Sequence, residues 1–225
     1  MNGVFDLTLP RQKLIMPTKE EHIMMVAEKL FAANGYNGTS VRDIATKAKV
    51  NVSMISYYFG SKENLLEELF KWRMEEGLNF AKNTLENNEL SEIEKIEGSI
   101  DNFVNRVQRL RDFFLLVHTQ QVIAQNKSIQ NFLKDYKVNY IEINERIVEQ
   151  GLEKGVFTIR PSYHLLQCTI SGTIFNAMHG MKFYKEYLKK HNQDFDEKHY
   201  ENQYFQEVRA HVKSVVRAMV GYKGE

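Results

Sequence analysis

Proline is nearly absent from the middle of this chain, and that absence restricts the fold more than any other feature. The chain has 225 residues and three prolines, at Pro10, Pro17 and Pro161. Proline breaks helix interiors, so the long segment between the last two prolines favours helices. Apolar residues recur along it at helical spacing, as at Ile96 and Ile100, whereas regular strand-like alternation is hard to find. The sequence therefore predicts an all-α protein.

Capping signals indicate where the helices begin, because a hydroxyl residue followed three positions later by a carboxylate typically caps a helix start. Three pairs have this spacing: Thr18 with Glu21, Ser40 with Asp43, and Ser91 with Glu94. The apolar periodicity predicts three short helices, of which the second and third cover about 40–47 and 51–58. About six longer helices follow, giving about nine in total. They include helices at about 111–125, 128–154 and 162–189.

The helices predicted at 40–47 and 51–58 are joined by a very short link. Two short helices joined in this way, and supported by the helix before them, are typical of a helix-turn-helix, whose second helix enters the major groove of DNA. Between residues 38 and 62, four basic residues stand against one acidic residue, in a chain with a net charge of +1. This local excess of positive charge suits contact with phosphates.

Three sequence motifs occur in order within residues 27–70: FAANGY at 31–36, SVRDIA at 40–45 and YFGSKENL at 58–65. As an ordered set they resemble the tetracycline-repressor (TetR) family of bacterial transcriptional regulators. The resemblance implies a repressor that binds a palindromic double-stranded DNA operator as a homodimer. It also implies that a small-molecule effector releases the protein from that operator.

The resemblance also implies which residues contact DNA. Ser40 and Lys62 correspond to phosphate-binding positions, and Arg42 corresponds to a position that reaches a base or a phosphate. Tyr57 and Tyr58 correspond to positions that contact phosphates and base edges. The exposed face of the recognition helix carries the remaining candidates: Asn51, Val52, Ser53 and Ser56.

Each of these candidates also has a purely structural interpretation. Ser40 and Asn51 can each act as a helix cap, and this role is compatible with binding DNA. One of Tyr57 and Tyr58 can pack into the core, but adjacent helical positions point about 100° apart, so at least one hydroxyl faces outward. The family commonly has glycine where Lys49 stands and an aromatic residue where Ser56 stands. The base preference of relatives therefore cannot be carried over.

By the same resemblance, the rest of the chain dimerises through its last two helices and holds the effector. Small residues on the helix after Pro161 let helices approach closely: Ser171, Gly172, Ala177 and Gly180. An apolar stripe on the last helix is expected to face a partner subunit: Val208, Val212, Val215, Val216 and Met219. The alternative is that this stripe packs inside one monomer, because amphipathic faces most often cover their own core.

Polar groups on otherwise apolar helices are the best indicators of a ligand pocket. The candidates are Phe114, His118, Gln121, Tyr140, Asn144, Cys168, Phe175, Asn176 and His179. Each of the two histidines can equally be a structural residue with satisfied hydrogen bonds. As a group, with many phenylalanines nearby, these residues indicate a small and largely apolar effector.

Other chemistries find little support in the sequence. His164 and Cys168 share a helix face, but two ligands without a third are a weak zinc signal, and we expect no metal and no cofactor. Cys168 is the only cysteine, and no base stands out beside it, so we expect no enzyme activity. There is no glycine-rich phosphate loop and no apolar run of about 18 residues, so we expect no membrane partner and a cytoplasmic protein.

These observations predict three parts in the chain. Residues 1–16 form a flexible extension, with a basic arm as the alternative. Residues 17–71 form the helix-turn-helix domain, and residues 72–225 form the effector-binding and dimerisation domain. Two other classes of function remain open. A helical enzyme fused to a helix-turn-helix requires a convergent acid–base set in the pocket, and a DNA-binding protein without an effector requires a filled core.

Overall fold

The structure, a computed structural model, describes residues 17–118, 126–191, 196 and 198–224, and describes His118 by its backbone only. Within these residues it contains nine helices and no strand. They are α1 Lys19–Asn34, α2 Val41–Ala48, α3 Val52–Phe59, α4 Lys62–Glu86, α5 Glu92–Arg109, α6 Arg111–His118, α7 Lys127–Glu153, α8 Tyr163–Lys190 and α9 Tyr200–Val220. The predicted all-α fold with about nine helices is confirmed for this part of the chain. None of these helices is both long enough and apolar enough to cross a lipid bilayer.

The predicted capping boxes set the helix starts. In the first, Oγ1 of Thr18 accepts a hydrogen bond from the Glu21 N–H at 3.1 Å, and the Glu21 carboxylate accepts one from the Thr18 N–H at 2.8 Å. The boxes that begin at Ser40 and Ser91 have the same reciprocal bonds. Helices α2 and α3 both start one residue after the predicted position, because a capping residue precedes the first helical residue.

By its internal contacts the chain divides into two compact units, Met1–Glu68 and Leu69–Glu225. In the first unit α1 packs on α2, and α2 packs on α3. The helices share a core of fully buried residues, including Ile23, Ala27, Phe31, Ile44 and Ile55. Nε2 of His22 lies 3.0 Å from the carbonyl oxygen of Ala48 and links α1 to the end of α2. This small core fixes α2 and α3 while the outer face of α3 stays at the surface.

In the second unit α5 is the central helix, and α6, α7, α8 and α9 all pack on it. Val208, Val212 and Val216 are buried within the chain itself, together with Val220. The expectation that this stripe faces a partner subunit is therefore wrong for three of the four predicted valines. Their amphipathic face covers the core of its own unit, as such faces usually do.

A row of ion pairs holds α9 against α5. Nζ of Lys213 lies 2.7 Å from Oδ2 of Asp101, and Nε of Arg217 lies 2.5 Å from Oε1 of Glu97. The two acids are four residues apart on α5 and the two bases are four apart on α9, so each helix presents one charged face to the other. The hydrogen bond that Arg217 donates to the Glu97 carboxylate raises the pKa of the Arg217 guanidinium. Most of the valines of α9 are buried, and its charged residues on one side are paired with acids of α5. The remaining face of α9 therefore lies at the surface of the unit.

Candidate nucleic-acid interface and ligand cavity

Helix α3 has a narrow inner face and a wide outer face. Ile55 and Phe59, four residues apart, are its buried residues, and they anchor it to the core of the first unit. Oδ1 of Asn51 accepts a hydrogen bond from the Ser53 N–H at 3.0 Å, so the predicted cap of this helix is confirmed. Two inward residues out of eight are enough to hold the helix, and the other side chains are available for contact with a partner.

The outer face of α3 gathers the residues expected to read DNA. The side chain of Tyr57 is 83% exposed, and its ring lies edge-on to Tyr58 with centroids 5.2 Å apart. Tyr58 is half-buried, so one tyrosine is fully presented and the other supports it. The remaining candidates on this face are exposed as well: Asn51, Val52, Ser53 and Ser56. Hydroxyls, an amide and an aromatic ring together form a surface suited to phosphates and base edges.

Two further candidate DNA contacts, Ser40 and Arg42, lie at the start of α2, and both are exposed. The N–H of Ser40 donates to Oδ2 of Asp43 at 2.8 Å, and its hydroxyl donates to the same oxygen at 2.6 Å. These bonds hold the pKa of the Asp43 carboxyl below its usual range, with the hydroxyl bond as the largest cause. A phosphate bound at Ser40 has to compete with this carboxylate, whereas the Arg42 side chain lies open at the surface.

Lys62 has a structural role that the sequence did not reveal. Its Nζ donates to the carbonyl oxygens of Tyr36 and Thr39, both at 3.0 Å, and lies 4.1 Å from the centroid of the Tyr36 ring. The Tyr36 hydroxyl donates to Oε1 of Glu63 at 2.9 Å. Burial, and then this contact with Glu63, raises the pKa of Tyr36. An ammonium has three donors, so Lys62 ties the turn between α1 and α2 to the start of α4 and keeps one donor for a phosphate.

Lys49, the position where relatives commonly have glycine, ends α2 in the left-handed conformation, with φ of 56°. Glycine adopts this region freely, whereas other L-residues are strained there. We expect Lys49→Gly to increase the free energy of unfolding by roughly 0.5–1 kcal/mol, because the strain is relieved at a helix end where glycine is favoured. Chemical denaturation measures this effect. An unchanged or lower stability would contradict the strain at this position.

The second unit contains a cavity of about 680 Å³ bounded by side chains of α4, α5, α6, α7 and α8. This volume is within the range of about 300–1,000 Å³ that is typical of small-molecule sites. Seven of the predicted effector-binding residues line it: Phe114, Tyr140, Asn144, Cys168, Phe175, Asn176 and His179. Gln121 and the side chain of His118 lie outside the described residues. The structure therefore brings the described candidates to one cavity, and their role in binding stays a prediction.

Aromatic rings form one wall of this cavity. Phe103, Phe114 and Phe175 contact each other with ring centroids 5.3–5.8 Å apart. Polar side chains, including Lys137, lie among the other lining residues, and Nδ2 of Asn144 donates to Oε1 of Gln167 at 2.8 Å. Sequence reasoning missed the aliphatic part of the lining, such as Ile96, because ordinary core residues carry no signal that distinguishes them from a ligand site.

His164 and Cys168 approach each other on α8, with Sγ 3.6 Å from Nε2. Both residues line the cavity. Across the described parts of the chain, no group of three or more histidine, cysteine, aspartate or glutamate side chains is arranged to hold a metal ion. The pair is thus two polar groups on the cavity wall, and the weak zinc signal gains no further ligand from the fold.

The surface of α8 carries large apolar side chains beside glycines. Phe183 is 71% exposed, and Leu165, Tyr184 and Tyr187 are also exposed. A Cβ atom built on Gly180 meets nothing within 4 Å, and Gly180, Phe183 and Tyr184 border an open groove with Tyr204 of α9. An apolar, partly recessed strip of this kind is typical of a protein–protein contact.

Residues 23–69, which include all of α2 and α3, match the family described as "Bacterial regulatory proteins, tetR family". Over most of its length the chain is similar to the probable HTH-type transcriptional regulator YttP of Bacillus subtilis (strain 168), at 26% identity over 202 residues, 88% of this chain and 94% of YttP. The segment that contains α2 and α3 is therefore of the TetR type. The chain is a TetR-like transcriptional regulator, and its helix-turn-helix is formed by α2 and α3.

Two further comparisons extend the similarity beyond the helix-turn-helix. The HTH-type transcriptional repressor KstR2 of Mycobacterium tuberculosis (strain ATCC 25618 / H37Rv) is 23% identical over 154 residues, covering 62% of this chain and 70% of KstR2. The crystal structure of the transcriptional regulator FadR from Bacillus subtilis in complex with stearoyl-CoA matches with a TM-score of 0.62 at 22% identity. That match covers 90% of this chain and 98% of FadR. The likeness of fold to FadR therefore extends to the second unit and its cavity-forming helices.

Proposed function

We propose that this TetR-like regulator is a cytoplasmic repressor that binds a palindromic operator as a homodimer and leaves it when a small effector occupies the cavity. The observation that carries the DNA-binding half is the outer face of α3, where exposed polar and aromatic side chains surround Tyr57. Residues 17–71 would form the DNA-binding domain, and residues 72–225 would bind the effector and dimerise. Arg42 and the remaining donor of Lys62 would contact phosphates on either side of the recognition helix.

The cavity supports the effector-responsive half of the proposal. A DNA-binding protein without an effector has no need of about 680 Å³ of empty space in its larger unit, because protein interiors are otherwise close-packed. The FadR structure, whose ligand is stearoyl-CoA, shows that a regulator of this fold can hold a ligand with a long apolar part. In the proposed mechanism the effector favours a dimer whose recognition helices no longer match successive major grooves, about 34–36 Å apart.

Selection of bound duplexes from a pool of random double-stranded oligonucleotides tests the DNA-binding half. We expect the recovered sequences to share an inverted repeat, because a two-fold symmetric dimer presents two equivalent recognition helices. The half-site centres should lie about one or two helical turns apart. Recovery of no common sequence, or of a single unrepeated site, would contradict the dimeric operator-binding function.

The dimer itself is predicted to use the exposed strip of α8 together with α9. We expect Gly180→Arg to convert the dimer to a monomer, because the long charged side chain would be forced into an apolar contact, while the fold is kept since the site is open within one chain. Gly180→Ala is the matched control and should remain dimeric. Sedimentation at micromolar concentration, with circular dichroism for helix content, measures both variants. A wild-type monomer, or a dimeric Gly180→Arg protein, would rule out this interface.

A further inference from the structure

Arg106, on α5, is a buried arginine without a carboxylate partner. Its side chain is 2% exposed and is among the largest fully buried side chains in the described part of the chain. One terminal nitrogen, Nη2, donates to the backbone carbonyl of Arg73, and Nε has no hydrogen-bond partner. A guanidinium has five N–H donors and carries its charge at all physiological pH values. Most of its hydrogen-bonding capacity is therefore unused among the residues that the structure describes.

Other arginines of the second unit behave differently. Five of them pair with a carboxylate: Arg109 with Glu76, Arg146 with Glu86, Arg160 with Glu149, Arg209 with Asp101, and Arg217 with Glu97. These five pairs lie at partly exposed positions, where solvent already stabilises a charge. The most deeply buried guanidinium is thus the one without a counter-ion, although burying an unpaired charge costs several kcal/mol.

The unpaired guanidinium lies directly behind the cavity wall. Its central carbon is 5.7 Å from the centroid of the Phe114 ring, and Phe114 lines the cavity. Gly77 of α4 makes room for it, because a Cβ there would collide with Nη1 of Arg106 and would lie 3.1 Å from the hydroxyl oxygen of Tyr140. Tyr140 also lines the cavity. The guanidinium and the Tyr140 hydroxyl therefore meet above Gly77, close enough for one oxyanion to bond to both.

We propose that the cavity binds an apolar molecule that ends in a single anionic group, such as a carboxylate, and that Arg106 and Tyr140 receive this group. The inference rests on the proposed effector function and names the chemical class of the effector. The aromatic wall formed by Phe103, Phe114 and Phe175 takes the apolar part. The anion supplies the counter-charge that Arg106 lacks, through charge-assisted hydrogen bonds.

A purely structural role for Arg106, as a tie between α5 and the Arg73 carbonyl of α4, makes a different prediction. If the tie were its function, Arg106→Met would lower the stability of the ligand-free protein. If Arg106 is an anion receptor, the ligand-free Arg106→Met protein is as stable as the wild type or more stable, because an uncompensated buried charge is replaced by an apolar side chain. Arg109→Met, three residues further along α5, is the matched control for loss of an arginine.

Calorimetric titration with matched acid and amide pairs tests the proposal. The probes are decanoate with decanamide and 4-phenylbutyrate with 4-phenylbutanamide, each added to the full chain. We expect at least one acid to bind about tenfold or more tightly than its amide, the size expected for a charge-assisted hydrogen bond. The preference should disappear in Arg106→Met and persist in Arg109→Met.

Equal affinity for acid and amide in the wild type would overturn the proposal, as would an absence of binding by all four probes or an acid preference that survives in Arg106→Met. The wild-type comparison is decisive even if Arg106→Met fails to fold.

Operator release separates this inference from the proposed function. An acid that binds with the expected preference but leaves the operator complex intact supports the anion site and refutes the effector role. An amide that releases the operator as readily as its acid supports the effector role and refutes the anion site.

Discussion

Tyr57→Ala is expected to lower operator affinity by about 10-fold to 100-fold for each subunit, without destabilising the fold. The side chain is 83% exposed on the outer face of α3, so its loss removes little packing. Loss of a specific contact to a base or its phosphate costs about 1–3 kcal/mol, and a dimer loses two such contacts. Fluorescence anisotropy with a duplex recovered by selection measures the affinity, and thermal unfolding measures the stability.

Two control substitutions in the same unit show whether this effect is specific to the recognition face. Met25→Ala removes an exposed apolar side chain of the same unit on α1 and should leave operator affinity within about twofold, as expected for a surface position away from the interface. Ile55→Ala removes a buried side chain of α3 and should instead lower stability by about 2–5 kcal/mol. If Tyr57→Ala bound the operator as the wild type does, α3 would not be the helix that reads DNA.

Gly151→Ala is expected to lower the free energy of unfolding by about 1–3 kcal/mol, through overpacking. The ring of Phe157 lies against the backbone of Gly151, so that an added Cβ would collide with three of its carbons. The ring cannot easily retreat, because Phe157 is 2% exposed and its N–H donates to the Gly151 carbonyl at 3.0 Å. Chemical denaturation at a fixed protein concentration measures the change, since dimerisation makes stability concentration-dependent.

Gly98→Ala is the matched control for that substitution and should have the opposite sign. Gly98 also lies within a helix, α5, but a Cβ there meets nothing within 4 Å. Alanine loses less backbone entropy than glycine in a helix, so the variant should gain roughly 0.5–1 kcal/mol. A similar loss of stability at both glycines would show that the contact with Phe157 does not control the cost at Gly151.

Local signals in the sequence predicted the starts of three helices correctly. The capping pairs at Thr18, Ser40 and Ser91 depend only on residues within one turn, so their effect does not depend on the rest of the fold. The cavity candidates were found because polar side chains such as Asn144 and His179 interrupt apolar helices. In the structure these two residues come to the same cavity from different helices.

Contacts between distant segments could not be predicted in the same way. Lys62 bonds to carbonyls 23 and 26 residues away, and Arg106 lies above Gly77 of another helix; neither arrangement leaves a local pattern. The valine stripe of α9 was assigned to a partner subunit because helical periodicity shows that a face is apolar but not what covers it. In the structure α9 packs on α5 and α8 of its own chain, which cover that face.

In the proposed function, the outer face of α3 is the surface that this regulator places on DNA. Site-specific photocrosslinking tests it most directly, with p-benzoylphenylalanine introduced at Tyr57 in one protein and at Met25 in another, each bound to a selected duplex. We predict an efficient crosslink to DNA from position 57 and essentially none from position 25, when each protein is added at a concentration that saturates the duplex. A crosslink from position 25 without one from position 57 would contradict the claim.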